Sequence, residues 1–541
     1  VIYLFVYINM DITSKYLDDF SNEFKKDSKN FLARNAVTSS DLNKIVINRD
    51  RAQQQNRIFS KKIAVKTKPS NQNMSGRCWL FALCNMMRIP MIKKYKLSED
   101  FELSAAYLAF FDKLERSNFF LAQIVKYRKE PVNSRINYIL MNEPISDGGN
   151  WNMVLNLVNK YGVIPKTCFN ESVHSNNTAN IDEFLNNKLR DYAYLIRNFS
   201  SQEMVNLDRH ISNMMNEIFR ILVIFMGQPP KKINWEYTSK DTYKIVKMVE
   251  PLEFYKKYIP MNLNDYVLLA DNPILNYNTH FTVNDFNNMK NGKEIAYLNV
   301  GIENIKNAIR ESINGQSAIW FGCDVGKYIN KELAVLDTGL FNYKSVFNTE
   351  IKLNKKNRLL YKNSDVTHAM IIRGYDNKTQ RFENCNDRKT DSDKLTNTSK
   401  TSIPIKRRTP VKVPKKVTKK ATKNPTKTKQ NKSKRSKKIK QKGGAKRQKH
   451  KKSKSKTPSK KVCDKNKLLV NKAPISKYLV ENSWGLSPVG DENLVMTDGY
   501  LTEFMYIIAV NKKYVPNKLV NIQNKKPHRL NLWDPFGYLL F

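Results

Sequence analysis

The stretch Gln72-Asn73-Met74-Ser75-Gly76-Arg77-Cys78-Trp79-Leu80-Phe81-Ala82 decides the reading of this chain. A cysteine follows a tight Ser-Gly turn and opens an apolar run with helical spacing, so the spacing predicts a buried helix from Cys78 to about Met91. A thiol at a helix N-terminus meets unpaired backbone N–H groups and the positive end of the helix dipole, which favour a thiolate. Gln72, six residues upstream, carries a side-chain amide that can donate to an oxyanion. The stretch therefore offers a nucleophile, an activating field and an oxyanion donor together, the parts of a cysteine hydrolase.

Such a nucleophile needs a base, and the base needs a group to orient it. Among six histidines, His368 stands in Thr367-His368-Ala369-Met370-Ile371-Ile372-Arg373-Gly374, which reads as a strand beginning at the histidine. Asn482, in Leu479-Val480-Glu481-Asn482-Ser483-Trp484-Gly485, ends a second apolar run at a turn glycine. Its amide oxygen can accept from one imidazole nitrogen and leave the other facing the thiol. Trp484 is expected to cover that pair and keep water away. Asp365 reads as a turn residue and Cys84 as core.

These three blocks, in this order, resemble the papain-like cysteine peptidases, and more closely the bleomycin hydrolase and aminopeptidase C branch. Further stretches carry the same resemblance: Ser146-Asp147-Gly148-Gly149-Asn150-Trp151, Lys160-Tyr161-Gly162-Val163-Ile164-Pro165-Lys166, Asn234-Trp235-Glu236-Tyr237 and Pro251-Leu252-Glu253-Phe254-Tyr255. So do Trp320-Phe321-Gly322-Cys323-Asp324-Val325-Gly326-Lys327, Met496-Thr497-Asp498 and Trp533-Asp534-Pro535-Phe536-Gly537. Leu486-Ser487-Pro488-Val489 departs from the family pattern. The resemblance implies an α+β, two-lobed papain-like fold and an aminopeptidase acting on peptides, with no cofactor and no metal. It implies Cys78, His368 and Asn482 as catalytic residues, Gln72 as oxyanion donor and Trp484 as shield. It also implies a homohexamer, and a C-terminal arm whose carboxylate, on Phe541 or on Leu540 after trimming, binds the substrate's free amine.

The composition adds a second theme. Of a net charge of +45, 27 positive charges fall within 406–461, which contains no Asp or Glu; the other 485 residues carry +18. That Lys-rich, aromatic-free segment cannot bury enough apolar area to offset its ordering entropy and is expected to be disordered. Dense lysine neutralises phosphates without reading bases, so non-specific, salt-sensitive binding to DNA or RNA is expected. The run 432–438 also fits a nuclear-localisation patch, beside a cytoplasmic default. The rival reading is a peptidase-fold scaffold whose task is nucleic-acid binding; an amide-transferring enzyme is a third. The insert separates His368 from Asn482, but lengthening a loop between adjacent strands costs only about 0.6 kcal/mol per doubling.

The cysteines at 78, 84, 168, 323, 385 and 463 form no Cys-x-x-Cys pair, so neither a disulfide framework nor a zinc site is expected. No stretch reads as a membrane span. Residues 1–9 precede Met10 and read as a gene-model extension. The expected order is a wrapping segment (10–60), a catalytic lobe with the nucleophile helix (61–120) and a helical oligomerisation region (121–315). Then come the second lobe (316–387 and 475–525) interrupted by the insert (388–474), and the arm (526–541). Helices are expected at 103–114, 181–198 and 204–225, with strands from about 316 onward.

Overall fold

The computed structural model describes residues 11–294, 296–377, 473–486 and 493–538. The expectations for 1–9, for the bulk of the insert, for Ser487 to Val489, and for the Leu540 and Phe541 carboxylates lie outside those residues.

The helix that begins at the decisive stretch is Cys78–Tyr95. Fourteen of its residues are buried, from Cys78 to Ile92; twelve are apolar, and the other two, Asn85 and Arg88, are buried with polar partners. It continues through Pro90 and closes at Lys96, which takes a left-handed conformation and donates its N–H to Ile92 O. The helices Ala105–Lys126 and Trp151–Tyr161 pack against it on the helical side of the molecule, and Ala179–Asn198 and Leu207–Met226 pack in turn on Ala105–Lys126. Asn150 caps Trp151–Tyr161 through its side chain, and Ser104 caps Ala105–Lys126.

The opposite side is one mixed sheet of twelve strands among the described residues. Its path runs His528–Leu530, Thr279–Val283, Tyr297–Asn299, Tyr266–Ala270, Met505–Asn511, Ile319–Cys323, His368–Asn377, Ile475–Glu481, Asn493–Thr497, Val335–Leu336, Ile329–Asn330; Lys61–Lys62 pairs separately with His368–Asn377. Cys78–Tyr95 packs on His368–Asn377 and Ile319–Cys323. The fold is α+β, as expected.

The expectation of a helical region over 121–315, with strands only from about 316, needs correction. Tyr266–Ala270, Thr279–Val283 and Tyr297–Asn299 belong to the main sheet, and Ile233–Ser239 forms a separate hairpin with Thr242–Val249. These strands are short, and the first three are buried on both faces, so they lack the alternation that marks a half-exposed strand. The helix expected over 204–225 is broken at Asn206 into Ser201–Val205 and Leu207–Met226.

The basic insert leaves the sheet after Asn377 and returns before Ile475, and these two residues face each other across paired antiparallel strands. The strands that carry the histidine and the asparagine are therefore neighbours, and the insert extends a connection between their far ends. The C-terminal segment packs as far as Phe536, which is fully buried against Phe281, with ring centroids 5.1 Å apart. Among the described residues, no helix is long and apolar enough to cross a membrane.

Candidate active site

Cys78 heads its helix without a side-chain cap on the preceding Arg77, which leaves the first-turn N–H groups unclaimed by a capping side chain. The turn in front of it is clamped from the helical side. Gly76 N donates to Asp147 Oδ2 at 2.8 Å, and Trp79 Nε1 donates to the Asp147 carbonyl at 2.7 Å. A Cβ on Gly76 would sit 2.7 Å from Asp147 Cβ, so this approach requires glycine. Asp147 is in turn held by Lys113 Nζ at 2.8 Å and by the Thr178 hydroxyl. Burial alone would raise the Asp147 carboxyl, but Lys113 overrides it and the group stays below the ordinary carboxylate range.

His368 begins its strand directly opposite Cys323, and Ala369, the next residue, donates its N–H to Cys78 Sγ at 3.4 Å. The strand that carries His368 thus meets the thiol through the residue next to it. His368 Nε2 lies 2.8 Å from Asn482 Oδ1. Ser483 N also donates to Asn482 Oδ1, at 2.8 Å. A backbone N–H can only donate, so the amide atom there is oxygen, and His368 Nε2 must carry the proton. Nδ1 is left with its lone pair, as an acceptor.

The same logic orients Gln72. Its Nε2 donates to Ser75 O at 2.6 Å, and a carbonyl can only accept. Its Oε1 accepts from Ser483 Oγ at 2.6 Å. Gln72 N also donates to Ser483 O at 2.9 Å. One N–H of the Gln72 amide remains for a ligand, on the loop that leads into Cys78. Trp484 lies over His368 with ring centroids 4.9 Å apart and an interplanar angle of 35°. Gly485 follows at φ +71°, the left-handed region that a turn there needs.

Burial pushes the Cys78 thiol up to about 11, while the Ala369 amide pulls the other way. Burial holds His368 down to about 4; the Asn482 hydrogen bond raises it and the Lys331 charge lowers it further. The thiolate expected from the helix N-terminus is therefore offset by desolvation. Together these shifts leave both the thiol and the imidazole uncharged at neutral pH.

A buried ion network ties the three site-bearing elements together. Glu481 accepts from Arg88 at 2.7 Å on the nucleophile helix, from Arg373 on the histidine strand and from Thr67 at 3.0 Å. Sequence reasoning missed this network, as it missed the Asp147 clamp and the Ser483 link. Asp147 and Ser483 lay inside quoted blocks, but neither residue type announces what it will hold. Asp365 donates its N–H to Asp324 in a loop, and Cys84 is core, both as expected. Among the described residues, no group of three or more His, Cys, Asp or Glu is arranged to hold a metal ion.

A buried thiol at a helix start, an imidazole held by an amide oxygen and a free amide N–H form a candidate thiol hydrolase site on an α+β fold. The chain belongs to the Peptidase C1-like family, whose pattern matches residues 11–390 and 467–537, and it is a papain-like cysteine peptidase. It is similar to human bleomycin hydrolase, with 32% identity over 528 residues covering 96% of each chain. It is also similar to aminopeptidase C of Listeria monocytogenes, with 28% identity over 532 residues covering 98% of this chain and 99% of that one. The crystal structure of PepW from Lactobacillus rhamnosis HN001 matches with a TM-score of 0.77 and 28% identity, covering 97% of this chain and 99% of that one.

Proposed function

We propose that this cysteine aminopeptidase removes N-terminal residues from peptides through a thioester on Cys78. His368 Nδ1 takes the Cys78 proton as sulfur attacks the scissile carbonyl carbon. The oxyanion is received by the Gln72 side-chain N–H and the Cys78 backbone N–H. As the tetrahedral intermediate collapses, the C–N bond breaks and His368 gives its proton to the leaving amine. Water, deprotonated by His368, then cleaves the thioester and returns the thiol. Asn482 holds the imidazole tautomer, and Trp484 keeps water from that hydrogen bond. The observation that carries the reading is the Ala369 N–H on Cys78 Sγ beside the His368–Asn482 pair. The names of the relatives, bleomycin hydrolase and aminopeptidase C, fit an enzyme for amides with a free amine.

The terminal carboxylate of Phe541, or of Leu540 after trimming, is the group proposed to bind that amine. The same reading carries a homohexamer, a cytoplasmic location extended to the nucleus by 432–438, and a loose tether to DNA or RNA through 406–461. The test of the chemistry is alkylation. Iodoacetamide should label Cys78, as read by peptide mass spectrometry, and hydrolysis should fall in proportion to that labelling. Full activity with Cys78 fully alkylated would remove it as nucleophile.

A further inference from the structure

The proton path in the proposed reaction gives the site a direction. His368 hands its proton to the leaving amine, so the leaving portion of the substrate departs on the side of His368. Trp484 lies against that imidazole and is only half-buried. Lys331 Nζ stands over the Trp484 ring, 4.8 Å from its centroid. A cation over an indole face is held there by the ring quadrupole.

Lys331 sits at the start of a short turn between Ile329–Asn330 and Val335–Leu336. Several bonds fix that turn. Leu333 N donates to Asn330 Oδ1 at 2.8 Å, and Ala334 N donates to Lys331 O at 3.3 Å. Arg57 bridges Leu333 O and Asn493 O, at 3.2 and 2.7 Å, and Val495 N donates to Ala334 O at 3.0 Å. The ammonium is thus carried by an anchored support while its side chain remains exposed. Among the described residues, no carboxylate forms an ion pair with it, the neighbouring Glu332 included. Several other cations near the sheet are committed: Arg51 to Asp337, Lys306 to Asp498, Arg358 to Glu503, and Arg88 and Arg373 to Glu481. Lys331 is a positive charge beside the exit side of the catalytic pair, with no acid among the described residues to answer it.

We infer that Lys331 is a specificity residue for the leaving portion of the substrate, where it receives a carboxylate. This rests on the aminopeptidase reading above. The carboxylate has two sources, the C-terminus of a dipeptide or an acidic side chain on the first leaving residue. The enzyme accordingly favours short peptides and acidic leaving residues over neutral amides. The pair is formed at the surface, so its effect is modest: about threefold to fivefold in kcat/KM.

The experiment compares substrate pairs that differ only in that charge. Alanyl-alanine is set against alanyl-alaninamide, and alanyl-glutamate amide against alanyl-glutamine amide, with released amino acid or amino-acid amide measured at low ionic strength. Wild type should favour the charged member of at least one pair, and which pair responds identifies the source. The ratio should fall to about one in Lys331→Met, persist in Lys331→Arg and invert in Lys331→Glu, whatever the change in absolute rate. A change of Trp484 packing alone would not invert a ratio with the sign of the charge. Equal rates for both pairs in wild type, or a preference that survives Lys331→Met, would overturn the inference. An alanyl coumarin amide, which offers no carboxylate, separates the two levels. Its Cys78-dependent cleavage without any charge preference contradicts only the Lys331 inference, whereas its resistance contradicts the aminopeptidase reading as well.

Discussion

Ser483 Oγ donates to Gln72 Oε1 at 2.6 Å, so the residue next to Asn482 also holds the Gln72 side-chain amide. Its backbone N–H holds Asn482 Oδ1 in the same way. Through Ser483 the orientation of the proposed base and that of the proposed oxyanion donor become one problem, solved by one residue.

Gln72→Ala should lower kcat by about 10²-fold, the scale for losing one oxyanion donor. Ser483→Ala leaves that donor present but unanchored and should cost less, about tenfold. If Ser483 acts through Gln72, the double variant should be no slower than about Gln72→Ala alone, a strong departure from additivity. Steady-state kinetics on the four proteins checks this. Multiplicative losses would mean that Ser483 acts elsewhere.

The pH profile follows from the shifts at the site. His368 titrates near 4, below the ordinary histidine value, so its basic form persists well into acid. Cys78 titrates near 11, so the shared proton is retained well into alkali. The profile of kcat/KM should therefore be a broad bell, with its acid limb near pH 4 and its alkaline limb above pH 9. Trp484→Ala admits water to the imidazole, relieves the desolvation that lowers it and should move the acid limb up toward 6.5. An acid limb that stayed in place or moved down would show that Trp484 does not shield the base.

Glu481→Gln removes the carboxylate from two buried guanidinium groups, Arg88 and Arg373. Breaking a buried ion pair from one side costs about 3–5 kcal/mol. Denaturant unfolding should report a loss of that order, and the variant should lose activity through displaced elements. A loss below about 1 kcal/mol would mean the network is not what holds the three site-bearing elements together.

The candidate site residues were legible because each sits in a short block with a chemical signature: a thiol after Ser75-Gly76, a histidine opening an apolar strand, and an amide before Ser483-Trp484-Gly485. The supporting shell was not, since Glu481, Arg88 and Arg373 read individually as ordinary charges, and only strand pairing together with the packing of the nucleophile helix on the sheet brings them together. The strands within 121–315 were hidden for a different reason. Tyr266–Ala270 is apolar throughout, and without alternation a five-residue run cannot be told from a helix fragment. The pairing of Asn377 with Ile475 resolves how the site tolerates the long insert, a question that sequence posed but could not answer.

That pairing carries a prediction. Deleting 406–461 shortens a connection whose ends remain neighbours, so peptidase activity should stay within about twofold of wild type, given the weak length dependence of loop closure. The same deletion should abolish retention on a polyanion such as heparin. Joint loss of activity and retention would mean that the insert is part of the folded unit.

The central claim is tested most directly by hydrolysis of an alanyl coumarin amide with a free amine, beside its N-acetylated counterpart, with wild type and Cys78→Ala in reducing buffer. The account predicts that wild type cleaves the free-amine substrate alone and that Cys78→Ala cleaves neither. Cleavage of the free-amine substrate by well-folded Cys78→Ala would contradict the nucleophile, and equal cleavage of both substrates by wild type would contradict the aminopeptidase.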